Sequence, residues 1–102
     1  MPVIYTAITR VMDWQALQKL NDEIILVLAR PLNARHCQIY RDPNDASLAL
    51  LWVELPDPDD VCEMRTSVVE RLRTLAQVTL IDDRVWEPVS FSPAVSDIPE
   101  TN

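Results

Sequence analysis

The chain predicts an α+β domain with the element order β-α-β-β-α-β, an antiparallel four-stranded sheet carrying two helices on one face. Three observations predict it. A run rich in β-branched and aromatic residues occupies residues 3–10, and two further alternating runs occupy 34–41 and 47–55. Two stretches, after Asp13 and after Asp57, repeat apolar residues at helical spacing. The polar turn Arg41-Asp42-Pro43-Asn44-Asp45-Ala46 joins two of the strand runs back to back, with proline presetting φ and the Asn and Asp side chains serving local backbone donors.

Strand one is Val3 to Arg10. Asp13 then stands as the N-cap of a first helix in which Trp14, Leu17, Leu20, Ile24 and Val27/Leu28 share a face, and which must stop before Pro31. Ile25 and Leu26 widen that face, so its last two turns are expected to be deeply buried. Strand two puts His36, Gln38 and Tyr40 on one side and Cys37 and Ile39 on the other. The second helix opens with Asp57 as cap, Pro58 at its first position and Asp59 and Asp60 at the positive end of the helix dipole. Val61, Met64, Val68, Leu72 and Leu75 line its inner face. Residues 77–83 are expected to bridge to a short fourth strand near Arg84-Val85-Trp86-Glu87, with Pro88 suiting a sheet edge. Residues 1–89 make one domain in this reading, and residues 90–102, rich in Ser, Pro and acid, a loose C-terminal tail.

Strand three departs from simple alternation. Leu48, Leu50 and Trp52 lie on one side and Ala49, Leu51, Val53 and Leu55 on the other, so both sides are apolar. Two helices cover only one face of a four-stranded sheet, and a solvated second face would alternate with polar residues. The open sheet face therefore expects a second layer, and a second copy of the chain is the simplest source. Which parity meets the partner is open at this stage.

The 102 residues, 48% of them apolar and 25% charged, fit an ordinary soluble domain with no room for a second one. A net charge of -7 with scattered basic residues argues against nucleic acid as a partner. No apolar run approaches the roughly 20 residues needed to cross a bilayer. Met1 to Tyr5 enter a strand pattern without a basic leader, and Cys37 and Cys62 read as reduced thiols, so the expected location is cytoplasmic. Glycine is absent, where about seven would be usual. That removes the glycine-rich phosphate loops of nucleotide-binding proteins. Two cysteines and one histidine make no metal set, and no cofactor is expected.

With these elements placed, the Arg41-Asp42-Pro43-Asn44-Asp45 turn, the strand ending Trp52-Val53-Glu54-Leu55 and the acidic helix start at Asp57 to Asp60 carry a resemblance. Over about residues 3–89 the chain resembles the dimeric α/β-barrel superfamily, a ferredoxin-like group that includes the antibiotic biosynthesis monooxygenases. The resemblance implies a homodimer whose two sheets face each other as a barrel, and a pocket for a small apolar or aromatic molecule. The group spans monooxygenases, haem-degrading enzymes, isomerases and proteins without assigned activity, so fold does not by itself assign a reaction. The cofactor-free and haem-degrading monooxygenases carry an Asn on strand one where this chain has Thr6 and Thr9. The haem-degrading type has a His in its second half, whereas the sole histidine here is His36. The glycine that many relatives carry after helix two is also missing.

Two constellations are candidates for a site. His36 and Tyr40, on one side of strand two, could serve as base and phenolic donor; as an edge-strand pair they would otherwise form a solvated rim. Trp14, Trp52 and Trp86 could wall a ligand-binding pocket, or be large core residues. Catalysis is thus open among three alternatives. One is a protein that binds a small apolar molecule, the second a cofactor-independent monooxygenase- or isomerase-like enzyme, and the third a non-catalytic structural or regulatory dimer.

Overall fold

A computed structural model describes residues 1–89. The expected loose tail lies outside the described residues. Strands β1 (Val3–Val11), β2 (His36–Asp42), β3 (Asp45–Leu55) and β4 (Val78–Trp86) form one antiparallel sheet in the order β2-β3-β1-β4. Helices α1 (Trp14–Ile24) and α2 (Val61–Arg73) complete the β-α-β-β-α-β order. This is the expected fold, with β2 and β4 as its edges.

Each helix starts where its cap predicts. The Asp13 side chain accepts the Gln15 N–H at 3.0 Å, and that of Asp57 accepts the Asp59 N–H at 2.9 Å. Pro58–Asp60 form a single 3-10 turn before α2 proper. The inner faces then follow the helical period: Leu17, Leu20 and Ile24 on α1, and Met64, Val68 and Leu72 on α2, are all buried.

The end of the first helix differs from expectation. Ile25–Ala29 form a π-turn, in which the Arg30 N–H donates to the Ile25 carbonyl at 2.9 Å. The wider turn rotates the apolar run: Leu28 and Ala29 point inward, while Leu26 and Val27 are 59% and 53% exposed. A uniform helical period therefore overstates the buried face, because the period changes within it. The chain leaves this turn through Asn33 at φ 57, the left-handed position that glycine usually fills and that Asn tolerates best among the other residues.

The fourth strand is longer than its sequence suggests. The segment 77–83, expected as a bridge, is mostly ladder, since Val78 already pairs with Val11 and Thr79 with Arg10. A bulge between Ile8 and Thr9 of the β1 register inserts Ile81 as an extra residue on β4. Val78 and Leu80 face the helices before it and Asp83 and Val85 after it, so the two-residue alternation breaks in mid-strand and hides the element.

The core lies between the helices and the odd-numbered side of the central strands. Val3, Tyr5, Ala7, Thr9 and Val11 of β1 and Ala49, Leu51, Val53 and Leu55 of β3 are buried there. The parity left open by the sequence is thereby assigned: Leu48, Leu50 and Trp52 face away from the helices.

Candidate functional site

The face that the helices leave bare is built from four strands. β1 contributes Ile4, Thr6 and Ile8, β3 contributes Leu48, Leu50 and Trp52, β2 contributes His36, Gln38 and Tyr40, and β4 contributes Asp82, Arg84 and Trp86. Its centre is the cross-strand pair Ile8 and Leu50, the former 39% exposed. A hollow of about 330 Å³ lies on one side of that pair, lined by Thr6, Trp52, Asp82, Arg84 and Trp86 as well as Ile8 and Leu50. A second, of about 290 Å³, lies on the other, where Tyr40 and Leu48 meet the same two residues.

Both signs of charge stand around this face. Arg10, Arg84, Glu54 and Asp82 occupy outward strand positions, and Asp42 lines the smaller hollow. Arg84 donates to Asp82 at 2.9 Å, and Arg10 donates to Ser47 at 2.8 Å with Asp45 at 3.9 Å beyond it. Ser47 and Arg10 together hold the Asp45 carboxyl below its ordinary range, the Ser47 hydrogen bonds being the larger cause.

The candidate residues divide between the two sides of the sheet. Trp52 and Trp86 share the larger hollow, and the Trp86 indole N–H donates to the Thr6 hydroxyl oxygen at 2.8 Å, which pins one ring across two strands. Trp14 is on the other side. It packs against the helix-side core, its indole N–H donates to the Ala46 carbonyl at 3.2 Å, and the Arg41 guanidinium stands 6.0 Å over its ring. It therefore braces the β2–β3 turn against α1, away from the other two tryptophans.

His36 and Tyr40 do meet. His36 Nε2 and Tyr40 Oη share a hydrogen bond of 2.9 Å, with ring centroids 6.2 Å apart and planes 24° from parallel. Alternation along an edge strand accounts for this, because residues four apart point the same way. A bare Nε2 accepts the phenolic proton and a protonated one donates to the oxygen, so the pair can pass a proton in either direction. Tyr40 lines the smaller hollow, while His36 sits beyond it towards the start of β2.

A third group was not anticipated from sequence. Tyr5 is 0% exposed, and its hydroxyl donates to Asp83 Oδ2 at 2.9 Å under α2. Arg65 grips the same carboxylate with Nε to Oδ2 at 2.8 Å and Nη2 to Oδ1 at 3.1 Å. Burial first, then the bond to Asp83 and its negative charge, push the Tyr5 phenol far above the ordinary tyrosine value of 10.0, against a smaller opposing pull from Arg65. Two signals pointed this way: a tyrosine at an inward position of a central strand needs an acceptor, and adjacent Asp82 and Asp83 cannot both face one side. Cys37 and Cys62 are free thiols, and burial raises the Cys37 thiol. Among the described residues no three His, Cys, Asp or Glu side chains gather as a metal set, and no helix is long and apolar enough to cross a membrane.

No family model and no curated relative matches the sequence. Solved structures do match its shape. SnoaB, a cofactor-independent oxygenase from Streptomyces nogalater, superposes with a TM-score of 0.69 at 12% identity, over 91% of this chain and 98% of its own. A candidate antibiotic biosynthesis monooxygenase from Deinococcus radiodurans gives 0.66 at 14% identity, over 87% and 94%. Rv0793 from Mycobacterium tuberculosis gives 0.62 at 16% identity, over 90% and 99%. Likeness over nearly the full length of each, at such low identity, is a statement about fold. The chain has a ferredoxin-like α+β fold, similar to that of solved antibiotic biosynthesis monooxygenase-like structures.

Proposed function

We propose that the protein works as a cytoplasmic homodimer joined through the open sheet face, and that it holds a small apolar or aromatic molecule against Trp52 and Trp86. The carrying observation is the bare face itself. It is apolar at its centre and hollowed on both sides of Ile8 and Leu50. A second copy laid on it would turn both hollows from open depressions into enclosed ones. Two free thiols support the cytoplasmic location.

Native mass spectrometry of protein purified from its source cells tests the reading. A dimer that retains an organic mass, lost when Trp52 or Trp86 is replaced by Ala, is the expected result. A monomer at micromolar concentration overturns it.

A second reading, a cofactor-independent oxygenase or isomerase, is favoured by the 2.9 Å His36–Tyr40 contact on the same face. In it the pair removes and returns a proton on a substrate seated beside Tyr40, and SnoaB supplies a precedent for oxygenase chemistry on this fold. Unchanged turnover of an identified substrate in both His36→Ala and Tyr40→Phe eliminates it. A dimer with no retained molecule and no Trp-dependent binding leaves the third reading, a structural or regulatory dimer.

A further inference from the structure

We infer that a second copy of the chain pairs with the free edge of β2, antiparallel about a two-fold axis at Ile39, and that Asp42 of the partner subunit thereby comes to stand opposite His36. The inference goes beyond the face-to-face dimer and does not depend on it. An axis at the edge stands perpendicular to the sheet and leaves the open face uncovered.

The two edges of the sheet are finished differently. β4 is blunted by its bulge, by Asp82, Asp83 and Arg84 in succession, and by Pro88 just past its end. Residues 36–40 of β2 hold no proline, bulge, Lys, Arg, Asp or Glu, and they pair with β3 in unbroken register. Among the described residues no strand pairs with the other side of β2. A row of unpaired backbone donors and acceptors of this kind is a template for another strand.

The residues of β2 say which strand fits. β2 spans His36–Asp42, so an axis at Ile39, its middle residue, pairs the strand with its copy end to end. His36 then faces Asp42, Cys37 faces Arg41, Gln38 faces Tyr40, and the two Ile39 side chains meet. Moving the axis to Gln38 sets Arg35 opposite Arg41 twice, with like charges directly opposed. Moving it to Tyr40 runs Cys37 against Pro43, which has no backbone donor to give. On the helix side the edge is undercut by a cleft of about 210 Å³, lined by Trp14, Leu17, Gln18, Asn21 and Ile39. The pair of Ile39 side chains would close the mouths of both clefts.

The pairing also adds a group to the His36–Tyr40 contact. His36 Nε2 is already bonded to Tyr40 Oη at 2.9 Å. Asp42 lines the smaller hollow on the same face, and its Oδ1 accepts the Asn44 N–H at 2.8 Å, which anchors the carboxylate at the hairpin tip. Residues directly opposite on antiparallel strands have Cβ atoms about 5 Å apart, within reach of a hydrogen bond from His36 Nδ1 to the partner's Asp42. With its proton held on Nδ1, the imidazole keeps Nε2 bare to accept from Tyr40. The partner's Asp42 is thus a positioning residue for that pair.

Disulfide trapping in the full chain, with Cys37→Ala and Cys62→Ala as background, reads the axis directly. Under mild copper-phenanthroline oxidation, Ile39→Cys should give a covalent dimer about ten-fold faster than Gln38→Cys, whose two copies are offset along the strands. Equal rates, a faster Gln38→Cys or no covalent dimer overturns the inference. Sedimentation velocity above about 100 µM tests the end pairs, since a seven-residue edge makes a small interface that forms weakly. There the wild type should double the mass it has in dilute solution. His36→Glu should weaken this doubling about ten-fold by opposing two carboxylates, and His36→Glu/Asp42→Lys should restore it to within about two-fold. No doubling, or a double variant no better than the single one, overturns the inference, and this series decides by itself if Ile39→Cys does not fold. The imidazole nitrogen shifts should place the His36 proton on Nδ1 in the associated wild type and on Nε2 in Asp42→Lys; the same tautomer in both removes the positioning role. A monomer in dilute solution counts against the face-to-face dimer and leaves the edge result standing.

Discussion

The two faces of the sheet are both apolar, yet they are built to different ends. On the helix side, Val53, Leu55, Met64 and Val68 are fully enclosed, and the buried hydroxyl of Tyr5 has an acceptor. On the other side Ile8 and Trp86 remain partly in solvent, the hollows stand open, and polar groups pair along the rim. A finished core tolerates neither voids nor unpaired polar atoms. An apolar surface that keeps both hollows and charges is what the proposed dimer or ligand site would need.

Adjacent leucines on β3 give the strongest way to break this comparison. Leu51→Glu puts a carboxylate into the helix-side core and should cost more than about 4 kcal/mol, abolishing cooperative unfolding in a denaturant titration. Leu50→Glu, one residue away on the open face, should stay folded and instead weaken self-association about 100-fold or more in sedimentation velocity, as loss of a central interface anchor would. If both changes unfold the chain, or neither alters association, the two faces are not distinct in kind.

Tyr5→Phe sharpens the helix-side half. Losing the bond to Asp83 should cost about 1–3 kcal/mol near neutral pH, read from the shift of the urea midpoint. The folded state holds the phenolic proton more tightly than the unfolded state. The contribution is therefore whole below the ordinary value of 10.0, and it is lost as pH climbs from there towards the folded value, because the unfolded chain sheds its proton first. Wild type should lose stability between about pH 9 and 12 more steeply than Tyr5→Phe, and parallel curves would remove Tyr5 from the account.

On the open face, Trp86→Ala should weaken Nile red binding about ten-fold by deleting one hollow wall, whereas Trp14→Phe should leave it within about two-fold. Equal losses would mean that the dye sits elsewhere. The smallest structural effect is expected from His36→Ala and Tyr40→Phe, whose rim positions should change stability by no more than about 0.5 kcal/mol in thermal unfolding. A much larger loss would make the pair a structural strut.

Much of the architecture was legible in local chemistry. Asp13 and Asp57 announce helices, Pro43 and Asn44 a hairpin turn, and the spacing of Met64, Val68 and Leu72 a buried stripe, because caps, turns and periodicity involve residues within a few positions of one another. The meeting of His36 with Tyr40 was legible for the same reason. Trp14 illustrates the limit: it shares a residue type with Trp52 and Trp86, and type says nothing about side. Its place was set by the turn of α1 that carries it against the core, while theirs was set by strand parity.

Element order, the two-sided apolarity of β3 and the resulting expectation of a covering partner follow from the amino acids alone, since each rests on short-range pattern. The choice of which side of β3 meets the helices, the bulge that turns β4, the π-turn that exposes Leu26 and Val27, and the grip of Tyr5 and Arg65 on Asp83 belong to the assembled fold. When both faces of a strand are apolar, alternation is satisfied by either parity, so the decision passes to contacts between residues far apart in the chain. Tyr5 and Asp83, brought to 2.9 Å across 78 positions of sequence, are the clearest of these.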